Sequence, residues 1–205
     1  MGQITRGSRS ILSNPNIYNI FQVIMGANKE LRKFADEFIR ARDGDRVVDF
    51  GCGTSMILSY LPSSTKYYGF DISHDYIQSA KLRYGNRAHF ECRIITEQDA
   101  TYLPKFDIAL ALGVLHHLDD EMAHSMLHTA YQVLKKGGRL ITIDGCYDTN
   151  QTSLARLLVN LDRGQNVRNL ADYSSLANAV FSNITAIVRH RAWVPYTHCI
   201  MECTK

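Results

Sequence analysis

Asp49, Gly51 and Gly53 alternate in the stretch Arg46-Val-Val-Asp-Phe-Gly-Cys-Gly-Thr-Ser55, and a second acid, Asp71, stands eighteen residues beyond Gly53. Glycines at this spacing let the backbone turn sharply and a ligand come close, while turn amides can meet a carboxylate. An acid closing the next strand can accept hydrogen bonds from both hydroxyls of a ribose. The set therefore suits a ligand built on a nucleoside. Further along, His116 and His117 follow an apolar run, Phe106 to Leu112, and neutral imidazole can take a proton near neutral pH. Arg189, His190, Arg191, Trp193, Tyr196 and His198 form a cationic and aromatic group near the end of the chain, suited to a small anionic or ring-bearing molecule.

The elements that would position these residues alternate. Val47, Val48 and Phe50 read as a parallel strand buried on both faces, and Thr54 and Ser55 as caps of a helix over about 54–61. Strands are expected at 67–71, 88–94, 106–112 and 139–144. Ser73 should cap a helix to Tyr84, and a long helix over 119–134 should end at Lys-Lys-Gly-Gly, where basic residues suit a helix C-terminus. Beyond Gly145, helices at 150–161 and 172–181 precede two strands at 184–191 and 196–203. Before Asp49, residues 1–13 read as a loose arm. Ile17, Ile20, Phe21 and Ile24 mark one helix, and Leu31, Phe34, Phe38 and Ile39 give a second, over 29–41, its apolar stripe. By the right-handed crossover rule such alternation gives a doubly wound parallel sheet, with ligands bound outside the carboxyl ends of its strands.

Two nucleotide-binding patterns fit a strand, glycine turn and helix. The dinucleotide fingerprint requires a third glycine where Met56 stands, and so disfavours a nicotinamide-dependent oxidoreductase. The glycine turn, Asp71 in Tyr-Tyr-Gly-Phe-Asp, Gln98-Asp99-Ala100, the run from Phe106 through His-His-Leu118, and Leu134-Lys-Lys-Gly-Gly-Arg-Leu-Ile-Thr-Ile-Asp144 come in an order that resembles the class I, Rossmann-like S-adenosylmethionine-dependent methyltransferases. The resemblance covers roughly residues 45–145 and departs from the pattern at Ser55, where many members have glycine.

The resemblance implies an α/β fold, a mostly parallel seven-stranded sheet whose last strand is antiparallel and inserts beside the fifth, with N-terminal helices as a lid. It implies S-adenosylmethionine as cofactor and S-adenosylhomocysteine as product. Amides around Gly51, Cys52 and Gly53 would meet the methionine carboxylate, Asp49 would orient the glycine turn or the cofactor's ammonium, Asp71 would take the ribose hydroxyls and Asp99, with Ala100 beside it, the adenine amino group; Ile72, Leu112 and Gly113 are further cofactor contacts, with Tyr18 offered from the N-terminal helices. A His-His-Leu segment is common in the superfamily whatever the substrate, so packing or cofactor contact is the favoured role for the two histidines, and His117 is the candidate base for a hydroxyl acceptor. Arg168, Arg191, Tyr196 and His198 are the candidate acceptor contacts, with Arg163 in the same polar connection as Arg168.

At 205 residues the chain fits one domain, with N-terminal helices to 44, a cofactor-binding core at 45–145 and an acceptor-side part at 146–205. The net charge of +3 argues for no nucleic-acid footprint. Five cysteines without a Cys-x-x-Cys pair suggest reduced thiols in a cytoplasmic protein, and neither a metal site nor a membrane span is expected. An Asn/Asp-Pro-Pro-aromatic segment, needed for exocyclic amines of nucleic acids, is absent after the fourth strand. So is the Pro-Cys nucleophile of cytosine C5 chemistry. The expected activity is methyl transfer to a small molecule, at oxygen. N-methylation, RNA methylation and non-catalytic cofactor binding are the alternatives.

Overall fold

The computed structural model describes residues 27–161, 164–191 and 195–205. Tyr18, the first expected helix, Arg163 and Trp193 lie outside them. Five parallel strands come first: β1 Arg46–Phe50, β2 Lys66–Asp71, β3 Ala88–Cys92, β4 Phe106–Leu112 and β5 Leu134–Tyr147. A two-residue strand β6 (Arg168–Asn169) pairs with the end of β5, and β7 (Asn183–Arg191) and β8 (Tyr196–Thr204) close the chain. The spatial order is β3-β2-β1-β4-β5-β8-β7. Order reverses between β1 and β4, which is where an open sheet of this kind opens a crevice. As expected, β8 runs antiparallel and inserts beside β5, with Asp144 opposite Cys199 and Gly145 opposite His198.

Alternation along the strands divides the core into two layers. Val48, Phe50, Phe70, Ala109, Leu140 and Met201 face one layer, covered by α3 (Asp120–Val133) and α5 (Leu170–Asn178). Val47, Tyr67, Ile108, Leu110, Ile141 and Ile200 face the other, with Ile77 and Ala80 from α2 (His74–Tyr84). There α1 (Ala27–Phe34) runs into a wider turn over Ala35–Ile39, burying Phe34, Ala35 and Ile39. Arg40, in the left-handed region at φ 50°, ends it and pairs with Glu202 of β8 at 2.6 Å. The fourth helix, α4 (Ser153–Asn160), packs against β5 and β8.

Two local expectations are corrected. After β1 there is a single 3-10 turn, Met56–Tyr60, because Ser55 takes φ 54° and ψ 35°, a left-handed conformation that cannot begin an α-helix, and its side chain caps nothing. The position where the resemblance leads one to expect glycine is thus one where glycine's freedom would be used. At the other end of the core, α3 stops at Val133 and β5 starts at Leu134 rather than Arg139. Lys135 and Lys136 therefore leave the helix, and Lys135 pairs with Asp107 at 2.6 Å. By contrast Ser73 and Asp119 cap α2 and α3 as expected, accepting from Tyr76 N and Met122 N.

Gly69 sits opposite Asp49 in the β1–β2 register, and a Cβ there would come within 2.8 Å of Cys52 Sγ and of Phe90 Cδ1. Gly69→Ala is expected to destabilise the protein by about 1–3 kcal/mol, read as a lower urea midpoint at unchanged slope.

Candidate active site

The residues singled out by the sequence gather at the carboxyl ends of β1, β2, β4 and β5. Gly51 and Gly53 both have positive φ, 67° and 53°. An added Cβ at Gly51 would meet Val114 at 2.8 Å, whereas one at Gly53 meets nothing within 4 Å, so the outer side of the turn is open to a ligand. The turn is tied to β2: Cys52 N–H donates to Phe70 O at 3.0 Å, and Gly53 N–H donates to Asp71 Oδ2 at 2.9 Å. Ser73 N–H donates to the other Asp71 oxygen at 2.8 Å. Burial raises the Asp71 carboxyl above its ordinary range against these backbone hydrogen bonds. Cys52 turns its thiol into the core, so its backbone is what it presents at the turn. Ile72 is half exposed, while Leu112 and Gly113 sit at the end of β4, where Gly113 N–H donates to Ile143 O at 2.8 Å.

Asp49 lies behind the turn at 1% exposure. Tyr67 donates its hydroxyl to Asp49 Oδ2, and the same hydroxyl lies 3.3 Å from Ser55 Oγ. Asp49 Oδ1 is buried with no hydrogen-bond partner among the described residues. Burial in these surroundings pushes the Asp49 carboxyl up to about 7, against the phenol hydrogen bond that favours its charged form.

Asp99 has a different environment. It accepts from Thr96 N–H at 2.6 Å, Thr96 Oγ1 at 3.0 Å, Arg93 Nη1 at 2.7 Å and the Tyr102 hydroxyl. Burial opposes its charge, but these donors outweigh it and hold the carboxyl down to about 2. The four acceptor positions of the carboxylate are used within the chain. An adenine amino group would reach Asp99 only if a donor gave way, and Tyr102, 68% exposed, is the most accessible of them. Ala100 packs beside it against the core, and its carbonyl accepts from Lys105 Nζ at 3.2 Å.

The two histidines differ. His116 is buried, donating its backbone N–H at 3.2 Å and its ring Nδ1 at 2.8 Å to Asp144 Oδ1 at the end of β5. His117, half buried, stacks on the His116 ring with centroids 4.0 Å apart. The carboxylate partner therefore belongs to His116 and not to the expected His117. Nothing in the sequence separates the two, because the choice depends on which ring the short turn at Leu115–His117 directs at β5.

The candidate acceptor contacts divide between the two faces of the sheet. Arg191, Tyr196 and His198 share the α1 face; Arg191 Nε lies 3.9 Å from Glu30, and the Tyr196 and His198 rings are 4.8 Å apart. Tyr196 covers Gly145, where a Cβ would come 2.6 Å from its hydroxyl. Arg168 is on the opposite side, and its five N–H donors are all engaged: Asp120 twice, and the carbonyls of Leu115, Leu118 and Asn166. This corrects its reading as an acceptor contact. It clasps the segment before α5 to the turn after β4, where Asn166 N–H also donates to His116 O at 2.9 Å.

A model of the "Methyltransferase domain" family matches residues 48–140. Among curated proteins, 27-O-demethylrifamycin SV methyltransferase of Amycolatopsis mediterranei (strain S699) is 34% identical over 106 residues, 48% of this chain and 38% of that protein. Phosphoethanolamine N-methyltransferase of Triticum aestivum is 23% identical over 181 residues, covering 86% of this chain and 35% of that protein. The chain thus spans less than half the length of these relatives. Among solved structures, the pyocyanin biosynthetic protein PhzM superposes with TM-score 0.72 at 16% identity, over 98% of this chain and 63% of PhzM, a likeness of fold.

The Asp99 geometry carries a stability expectation. A folded-state value near 2 lies below the ordinary 3.9 of an unfolded chain, so its contribution is present above pH 4 and lost as pH falls through about 2. Asp99→Asn should cost about 2–3 kcal/mol at pH 7. The gap to wild type should narrow in urea titrations taken towards pH 2.

Proposed function

We propose, because the chain belongs to the class I S-adenosylmethionine-dependent methyltransferase superfamily, that it transfers a methyl group to a hydroxyl of a small molecule. The observation that carries the oxygen assignment is the buried His116–Asp144 pair at the rim where β4 and β5 end.

The residues present fit the cofactor. The open side at Gly53, the positive φ values of the turn and the unpartnered buried oxygen of Asp49 form a cradle for a small zwitterionic end group. Asp71, held in place by backbone N–H groups that include those of Gly53 and Ser73, can take ribose hydroxyls. When bound, S-adenosylmethionine supplies an electrophilic methyl group on a sulfonium, so the protein has mainly to orient the acceptor and exclude water.

A hydroxyl is a weak nucleophile and must give up its proton to a base during transfer, whereas a neutral amine is nucleophilic without one. If Nδ1 donates to Asp144, Nε2 is the basic nitrogen of the His116 ring, the tautomer a general base needs. Asp144 fixes the ring and stabilises the imidazolium formed once the proton is taken. His117, stacked on that ring, is a packing partner rather than the base. Arg191, Tyr196 and His198 are the acceptor contacts that remain in this reading, on the α1 face beside the end of β5. The name of the rifamycin relative, an enzyme acting at an oxygen, agrees with it. The wheat relative, whose match covers 86% of this chain and whose name gives nitrogen, is the reason to test amines beside hydroxyls.

In a screen of phenol, alcohol and amine acceptors with labelled cofactor, labelled product is expected from a hydroxyl acceptor. With that acceptor, His116→Ala and Asp144→Asn should each lower kcat by about 100-fold or more while cofactor affinity stays within about twofold. A His116 effect below threefold, or product from amines alone, would remove the oxygen assignment; cofactor binding with no product from any acceptor would favour a non-catalytic binding protein.

A further inference from the structure

A buried carboxyl with one oxygen lacking any partner is costly, and chains keep such groups where a ligand completes them. Among the described residues, Asp49 is such a group directly behind the glycine turn. Its surroundings are short of positive charge. From β2 it faces the Tyr67 hydroxyl and the Asp71 carboxyl, from the turn the Cys52 thiol, and from β4 the apolar Leu110 stands opposite in register. No lysine, arginine or histidine pairs with it among the described residues. Among the described residues the single donor is the phenol, and Tyr67 is itself fixed, 1% exposed and packed edge-on against Phe90 with ring centroids 6.0 Å apart.

Tyr67 reaches Asp49 because of the register. It pairs with Val47, two residues before Asp49, on the same face of the sheet, and Gly69 opposite Asp49 leaves the phenol a clear path along β2. The same hydroxyl touches Ser55, the residue held in the left-handed conformation at the end of the turn. One phenol therefore links the acid behind the turn to the turn's far end.

We infer that Tyr67 is a positioning residue for the cationic end of the cofactor: its hydroxyl holds the Asp49 carboxyl behind the glycine turn and stabilises the ionised form that a positive ligand requires. The inference rests on the cofactor assignment and goes beyond it by coupling cofactor binding to a proton. Empty, the site is acidic and buried without a cation, and Asp49 keeps its proton through the lower part of the neutral range, with a value near 7. S-adenosylmethionine carries an ammonium and a sulfonium against one carboxylate, so its arrival favours the charged acid. The Asp49 O–H bond breaks, the proton leaves to solvent, and the electron pair stays on the carboxylate. A phenol donor lowers the cost of that charge, where an aliphatic or phenylalanine side chain would raise it.

The experiment is calorimetric titration of the full chain with S-adenosylmethionine at pH 6, 7.5 and 9, for wild type, Tyr67→Phe and Asp49→Asn. The pH 6 titrations are repeated in two buffers of different ionisation enthalpy. The amino group of the ligand titrates alike in every arm and cancels in the ratio of variant to wild type. Tyr67→Phe is expected to weaken binding about tenfold at pH 6 and less than twofold at pH 9, because losing the phenol moves the carboxyl upward by about one unit. Wild type should release close to one proton on binding at pH 6, and Asp49→Asn should release none. A Tyr67→Phe deficit equal at all three pH values would mean that the phenol only supports the fold. Absence of proton release by wild type at pH 6 would overturn the coupling even if the Tyr67 variant failed to fold. If wild type bound the ligand at no pH, it is the cofactor assignment that would fall.

Discussion

The stitching of the glycine turn to β2 is the constraint on which the rest of the rim depends. Two backbone donors of the turn, at Cys52 and Gly53, are spent on Phe70 O and Asp71, so the turn is held as an extension of the sheet. Holding it there requires left-handed backbone at Gly51, Gly53 and Ser55. The two glycines bear this freely, while a serine in that region costs about 1 kcal/mol, offset here by its burial and its contact with Tyr67. In the proposed reading Asp71 thus has two tasks, since the carboxylate that would meet a ribose is also the anchor of the turn that would meet the other end of the ligand.

The three carboxyls of the rim show how environment separates chemically identical groups. Asp99 is held by four donors that include the Arg93 guanidinium, Asp71 by backbone N–H groups alone and Asp49 by one phenol. Their proton affinities follow that order, with Asp99 held low, Asp71 raised and Asp49 raised to about 7, although all three are acids at ends of neighbouring elements. A group already saturated by its own chain serves stability first. A group left incomplete is the one whose state a ligand can change.

Much of this was legible in the sequence. The apolar run Phe106–Leu112 and the strand and helix alternation specify a doubly wound sheet through periodicity alone, and the order of motifs specifies which ends of the strands carry the ligand. What could not be read depends on register and on single torsions. Ser55 was expected to cap a helix, as its polarity suggests, but a left-handed φ is set by how the turn closes on β2. Tyr67 reads as an ordinary strand aromatic until the β1–β2 register places it two residues from Asp49 on a shared face. Arg168 reads as a free cation in a polar connection, and only the folded chain brings Leu115, Leu118 and Asp120 around it. His116 and His117 are the plainest case, identical in type and adjacent, distinguished solely by where Asp144 ends up.

Asp144 and Gly145 are consecutive in β5, so their side-chain directions belong to opposite faces of the sheet. Asp144 engages His116 on the α3 face, and the missing side chain at Gly145 makes room for Tyr196 on the α1 face. The inserted antiparallel strand β8 is what brings Tyr196 there, because it starts at the same edge where the parallel strands stop. A small molecule that touches both the histidine pair and the Tyr196–His198 aromatics must therefore cross the end of β5 instead of lying on either face. That position is next to Gly113, just past the end of the neighbouring β4, whose N–H is tied to Ile143 and whose φ is 74°.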